Sequence, residues 1–193
     1  INTGVYDIQR DFYVTNSPSM DILISSNLER LLYHLSGDDG GEIAALMNCL
    51  EKEKQYTVSP KIREGLKEFY GGYADEAATN RTIGEMFKQN GYLIDTHTAV
   101  AYRVYADYRK ETGDETTTVI ASTASAYKFA ESVADSIGLP KEENGFAAVV
   151  ALAQATGVRV PACLQGLDKK EVRHRGVVDK DGLLEAVLKS LKM

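Results

Sequence analysis

Two stretches carry the side chains best placed to do chemistry. The first is Ser17-Pro18-Ser19-Met20-Asp21-Ile22-Leu23-Ile24-Ser25-Ser26-Asn27-Leu28-Glu29-Arg30. Its apolar run leads into a polar turn, and Leu28, Leu31, Leu32 and Leu35 then mark one face of a helix. A helix that opens on Ser25, Ser26 and Asn27 offers hydroxyls, unpaired backbone N–H groups and the positive end of the helix dipole. Such a place suits a phosphate or carboxylate, with Arg30 one turn further on. The plainer alternative is a capping box, Ser26 with Glu29 three residues later, that only starts the helix.

The second stretch is Ala121-Ser122-Thr123-Ala124-Ser125-Ala126-Tyr127-Lys128-Phe129. Its small residues let a flat ligand approach the backbone. A threonine hydroxyl there can bond a heteroaromatic nitrogen without carrying charge. The alternative is a helix cap at Ser125 beside a surface lysine. Ser125 and Lys128 also fit S-x-x-K, but the S-D-N and K-T-G that this pairing requires are missing from the chain.

Other chemistries find less support. His97 sits at a helix start, where it can serve a ligand or only the local backbone. His34 suits the end of a helix, and His174 lies among arginines. No pair of histidines has metal-ligand spacing, so no metal site is expected. GxGxxG and GxxxxGK[ST] are both missing, which argues against Rossmann and P-loop nucleotide sites.

These turns must be held by the elements around them. The two clearest strand patterns, 20–24 and 116–121, each run into a Ser/Thr-rich turn and a helix. That is the ligand-binding end of a strand in α/β proteins. Residues 1–16 read as a loop or edge segment. Helices are predicted over 27–35, around Ile43 to Leu50, after Ser59-Pro60, after Asp75, from Asp95 to Gly113, over 129–137, over 144–156 and from Leu183 to Leu191. The fold class is therefore α/β but mainly helical, and the helices between the two turns look like an insertion.

Composition narrows the function further. The 193 residues suffice for one good core. A net charge of −6 argues against a nucleic-acid surface. No apolar run nears the roughly 20 residues of a membrane helix, and no secretory signal pattern is present. Cys49 and Cys163 stand far apart and read as free thiols, so the expected location is cytoplasmic. The chain opens on Ile1 rather than methionine, which suits a piece of something longer.

The block from Ser17 to Arg30, the block Asp95-Thr96-His97-Thr98-Ala99-Val100-Ala101-Tyr102, the block Ser122 to Phe129 and the tail around Gly157-Val158-Arg159-Val160-Pro161 together resemble threonine synthase, in the same order and spacing. The resemblance covers essentially the whole chain but only the C-terminal part of that enzyme. It implies the C-terminal part of a fold-type II pyridoxal-phosphate enzyme. Residues 1–140 would then end the cofactor-binding domain with its helical insertion, and 141–193 would form a C-terminal tail region. The implied reaction converts O-phospho-L-homoserine and water to L-threonine and phosphate. Thr123 matches the family threonine that bonds the pyridine nitrogen of pyridoxal 5'-phosphate. The phosphate-bearing substrate is assigned to Ser25, Ser26, Asn27 and Arg30. None of the lysines here sits in the family's Schiff-base motif. That catalytic lysine and the cofactor-phosphate loop are expected in an N-terminal half outside this sequence, so the chain alone is expected to be inactive. Ala126 stands where the family usually has proline, which implies a looser turn. The competing expectation, from another class, is a non-catalytic helical interaction module.

Overall fold

The computed structural model describes residues 1–192. The chain divides into two compact units, Ile1–Arg159 and Val160–Met193. The first holds β1 (Val5–Asp7), α1 (Ser26–Ser36), α2 (Gly40–Glu53), β2 (Gln55–Thr57), α3 (Pro60–Gly65), α4 (Glu76–Asn90), α5 (Thr96–Thr112), α6 (Ala130–Ser136) and α7 (Gly145–Thr156). The second holds α8 (Leu183–Ser190) and two short 3-10 turns, and none of its described residues is buried.

The helix starts follow from side-chain caps. Asp39, Ser59, Asp75, Asp95 and Asn144 each accept from backbone N–H groups that the first helical turn leaves unpaired. Pro60 then fills the first position of α3, where its missing N–H costs nothing. Gly113 ends α5 in the left-handed region at φ 71°, which a side chain would resist.

Two groups of buried side chains fill the first unit. Leu32, Ile43, Leu50, Tyr56, Val58, Ile62 and Leu66 form a core under α1, α2, α3 and β2. Further along, α4 packs on α5 and α6, and α6 packs on α7, around the fully buried Ile83, Ala99, Val133 and Leu152. Gly84 permits the α4–α6 approach, since a Cβ there would lie 2.6 Å from the Ser136 carbonyl oxygen. Leu32, Leu50, Ile62 and Leu66 are each less than 5% exposed. At about 2 kcal/mol for each fully buried aliphatic side chain, their burial is the main gross contribution of this half.

The sheet departs from expectation. The only strands among the described residues are β1 and β2, paired antiparallel with Val5 opposite Thr57, Tyr6 opposite Tyr56 and Asp7 opposite Gln55. Residues 1–16 do supply an edge strand, as their pattern allows. Strand β2 had no strand signal. The strands predicted at 20–24 and 116–121 do not form. Pro18–Met20 is a 3-10 turn, Ile22–Ile24 is irregular, and 116–121 has no regular structure and no sheet partner. A strand draws its hydrogen bonds from a backbone ladder, and neither stretch has a ladder partner among the described residues.

Candidate functional site

The first polar turn is tied down from the N-terminal ribbon. Tyr6 Oη donates to the Leu23 carbonyl at 2.9 Å and accepts from the Ser25 amide at 3.0 Å. Arg10 Nη2 donates to the Ile22 carbonyl at 2.8 Å. Asp21 accepts from both the amide and the hydroxyl of Thr15, at 2.7 and 2.8 Å. Side chains thus satisfy the backbone that a sheet was expected to satisfy.

The cap on α1 is Ser25 rather than Ser26. Ser25 Oγ accepts from the Leu28 amide at 3.3 Å, and its carbonyl accepts from Glu29. The expected capping box of Ser26 and Glu29 is not made, because the helix begins one residue earlier than its sequence pattern suggests. This shift releases Ser26. Its hydroxyl, the Asn27 amide and the Arg30 guanidinium make no hydrogen bond or ion pair with any described residue, and all three side chains are exposed. The Ser26 and Asn27 backbone N–H groups are also without a partner among the described residues. Ser26 and Arg30 line an open cleft of about 450 Å³ together with Glu29, Tyr33, Gly40, Ile43 and Ala44. Glu29 places a negative charge beside Arg30, which tempers the attraction of this cleft for an anion.

The second turn is held by the start of α5. Asp95, only 1% exposed, caps that helix by accepting from the amides of His97 at 2.9 Å and Thr98 at 3.4 Å. The Thr98 hydroxyl donates to the other carboxylate oxygen of Asp95 and lies 2.9 Å from the Ser122 hydroxyl. His97 Nε2 accepts from the Ser19 amide at 3.1 Å, so its proton belongs on Nδ1, which faces Asp95 at 3.2 Å. The imidazole packs on Phe129, with ring centroids 4.7 Å apart. His97 is therefore a bracket within the fold, its two nitrogens both engaged.

Thr123 sits exposed on the turn next to Ser122, and its hydroxyl has no partner among the described residues. Ser125 Oγ accepts from the Tyr127 amide at 3.3 Å and caps the 3-10 turn Ala126–Phe129. Ala126 is buried, and Tyr127 donates from its hydroxyl to the Val158 carbonyl. The turn is thus bounded by fixed points on both sides despite the alanine at 126.

Upstream, Asp114 anchors the extended stretch. Hydrogen bonds from Thr116 and from the Tyr108 hydroxyl hold its carboxyl down at about 2. The two polar turns share no direct hydrogen bond among the described residues. The stretch that leads into the first turn is tied to the second through a series of bonds, from Ser19 by way of His97, Asp95 and Thr98 to Ser122. Sequence reasoning left Asp95 as a cap and passed over Thr98. The signal was present, since an Asp with a threonine three residues on can close both a cap and a side-chain bond.

Known proteins share much of this chain. A family model described as "Threonine synthase, C-terminal" matches residues 98–187. Threonine synthase-like 1 of Homo sapiens is 37% identical over 147 residues, covering 75% of this chain and 19% of that protein. The crystal structure of threonine synthase from yeast matches with a TM-score of 0.77 at 25% identity, over 99% of this chain and 39% of that one. The structure of PLP-bound threonine synthase from Brucella melitensis matches with a TM-score of 0.60 at 30% identity, over 77% of this chain and 32% of that one. The chain thus spans well under half the length of each of these proteins.

Helical packing with one small ribbon, over nearly the full chain, is the fold of the C-terminal portion of a fold-type II pyridoxal-phosphate enzyme. Within that class, the family match over residues 98–187 and these relatives support the C-terminal portion of a threonine synthase.

Proposed function

We propose that this chain is the C-terminal portion of an enzyme that converts O-phospho-L-homoserine and water to L-threonine and phosphate, a carbon–oxygen lyase of amino-acid biosynthesis. The observation that carries the reading is Thr123, an unpartnered hydroxyl on a turn fixed by Ser122 and Thr98. The residues present fit the ring side of pyridoxal 5'-phosphate, because a neutral hydroxyl can bond a pyridine nitrogen without protonating it. When bound, the cofactor supplies the electron sink for carbanion chemistry on the amino-acid substrate. Thr123 holds the ring in place and keeps that sink moderate. The lysine that anchors the cofactor is assigned to an N-terminal half, which is the expected partner of this chain.

Ser26, Asn27 and Arg30 receive the substrate phosphate at the α1 N-terminus, where unpaired N–H groups and the helix dipole favour an anion. Ser25 sets the turn through its cap, and its own O–H remains to donate.

The experiment measures phosphate release from O-phosphohomoserine with added pyridoxal phosphate, in the complete enzyme and in this chain alone. Turnover is expected only in the complete enzyme. Ser26→Ala and Asn27→Ala are expected to weaken substrate or phosphate binding by about tenfold, the loss of a charge-assisted bond, with little change in stability. Ser25→Ala is expected to cost about 1 kcal/mol of stability as a lost cap. A complete protein that binds the cofactor yet releases no phosphate would instead favour the non-catalytic interaction module.

A further inference from the structure

The side-chain hydrogen bonds that end on Asp95 run in one direction. A carboxylate accepts and cannot donate. The Thr98 hydroxyl, which has one hydrogen, commits it to Asp95. At its 2.9 Å contact with Ser122, Thr98 can then only accept, so the Ser122 hydroxyl is the donor. The hydrogen bonds run one way, from Ser122 to Thr98 to the buried Asp95. His97 adds a second line into the same carboxylate, with Nδ1–H toward Asp95 and Nε2 accepting from Ser19.

The consequence falls on the turn 121–125. Ser122 has spent its proton inward, and Ser125 is engaged as a cap. Thr123 is left as the hydroxyl of this turn with both its proton and its lone pairs free among the described residues.

We infer that Thr98 and Ser122 are positioning residues for Thr123, with the Asp95 carboxylate as the fixed end of a one-way hydrogen-bond chain that pins the turn against α5. The inference rests on the reading of Thr123 as the partner of the cofactor ring. It adds that this contact depends on a hydroxyl at position 98, which lies outside the turn and is 6% exposed. Neither Thr98 nor Ser122 is placed in contact with the cofactor.

The test uses the complete enzyme with pyridoxal phosphate as the probe. Four quantities are read: cofactor dissociation constant, the absorption spectrum of the bound cofactor, melting temperature, and amide exchange over 121–125 in the cofactor-free protein. Thr98→Val removes the hydroxyl at nearly constant shape. It is expected to weaken cofactor binding by about three- to tenfold, the loss of one net hydrogen bond, to alter the spectrum, and to speed exchange in the turn. Thr98→Ser keeps the hydroxyl and is expected to stay within about twofold of the parent. Ser122→Ala should reproduce Thr98→Val with a smaller loss of stability. The double variant should be no worse than Thr98→Val alone, because both changes cut one chain.

Thr98→Val and Ser122→Ala that leave binding, spectrum and exchange at parent values, while Thr123→Ala weakens binding, overturn the positioning role and leave the Thr123 reading intact. A Thr123→Ala variant with parental binding and spectrum overturns the Thr123 reading itself. A lower melting temperature with no other change in Thr98→Val marks Thr98 as structural only, and also overturns the inference.

Discussion

The two ends of α5 differ as much as any two regions of this molecule. At its start, Asp95 is buried and collects donors from His97 and Thr98, and through them holds Ser19 and Ser122. Beyond its end, Asp114 gives way to an irregular run in which Val119 is 90% exposed and no residue pairs in a sheet. One end is complete within this chain. The other has the composition of a buried strand and nothing to be buried against. Helix ends can be satisfied by side chains a few residues away, whereas a strand depends on whatever lies alongside.

The largest expected effect lies at the complete end. Asp95→Ala leaves two amides, the Thr98 hydroxyl and the His97 ring without their acceptor. It is expected to cost about 3 kcal/mol or more, read by urea denaturation. A loss under about 1 kcal/mol would mean that water replaces the carboxylate, and the contrast between the two ends would shrink.

The ribbon of β1 and β2 is the intermediate case, a place where strands do find each other. Tyr56 is 5% exposed and stacks on Tyr6, with centroids 5.4 Å apart. Burial, then the neighbouring Tyr6 and Glu29, push its phenol from 10.0 up to about 12. A raised value in the folded state means that the folded chain resists losing the proton. Stability is therefore in full below about pH 10 and is lost as pH rises toward 12, by about 2–3 kcal/mol in all. Denaturation midpoints measured from pH 8 to 12 should show this fall, and Tyr56→Phe should flatten it. An equally steep fall in the phenylalanine variant would assign it to another group.

The smallest effect belongs to the open end. Val119→Ala is expected to change the stability of this chain by no more than about 0.5 kcal/mol. In a longer protein that supplies sheet neighbours, the same change should cost about 1–2 kcal/mol more. Equal costs in the two settings would show that the stretch gains no neighbours there.

This contrast also explains what could be read from the sequence. Asp75, Asp95, Ser59-Pro60 and Gly113 announced helix ends correctly, because a cap is a local event among residues close in sequence. Thr116 to Ala121 announced a strand that does not form here, because β-propensity describes a half-buried surface rather than the backbone alone. Strand β2 escaped notice for the opposite reason. Its three residues are set by Tyr6 across the ribbon and not by any pattern of their own. Ser26 and Glu29 have ideal spacing for a capping box, yet the helix starts one residue earlier, since Ser25 offers the same hydroxyl and Tyr6 fixes its amide. Within the candidate site, Thr123 was legible as a free hydroxyl on a small-residue turn. The line from Ser122 to Asp95 was not, because positions 98 and 122 meet only in three dimensions.

The Tyr6 hydroxyl also sets an order of assembly. It bridges Leu23 and Ser25, the latter 19 residues along the chain, while its ring lies against Tyr56 much further on. The turn that begins α1 is thus held by distant residues as well as by its own cap. Its contacts with Tyr6 form after a long loop has closed and the ribbon has found its register. Closing that loop costs chain entropy before any of these bonds is gained. The helix behind Ser25 can flicker into being within microseconds, but the turn at its head should be among the last parts of this unit to settle.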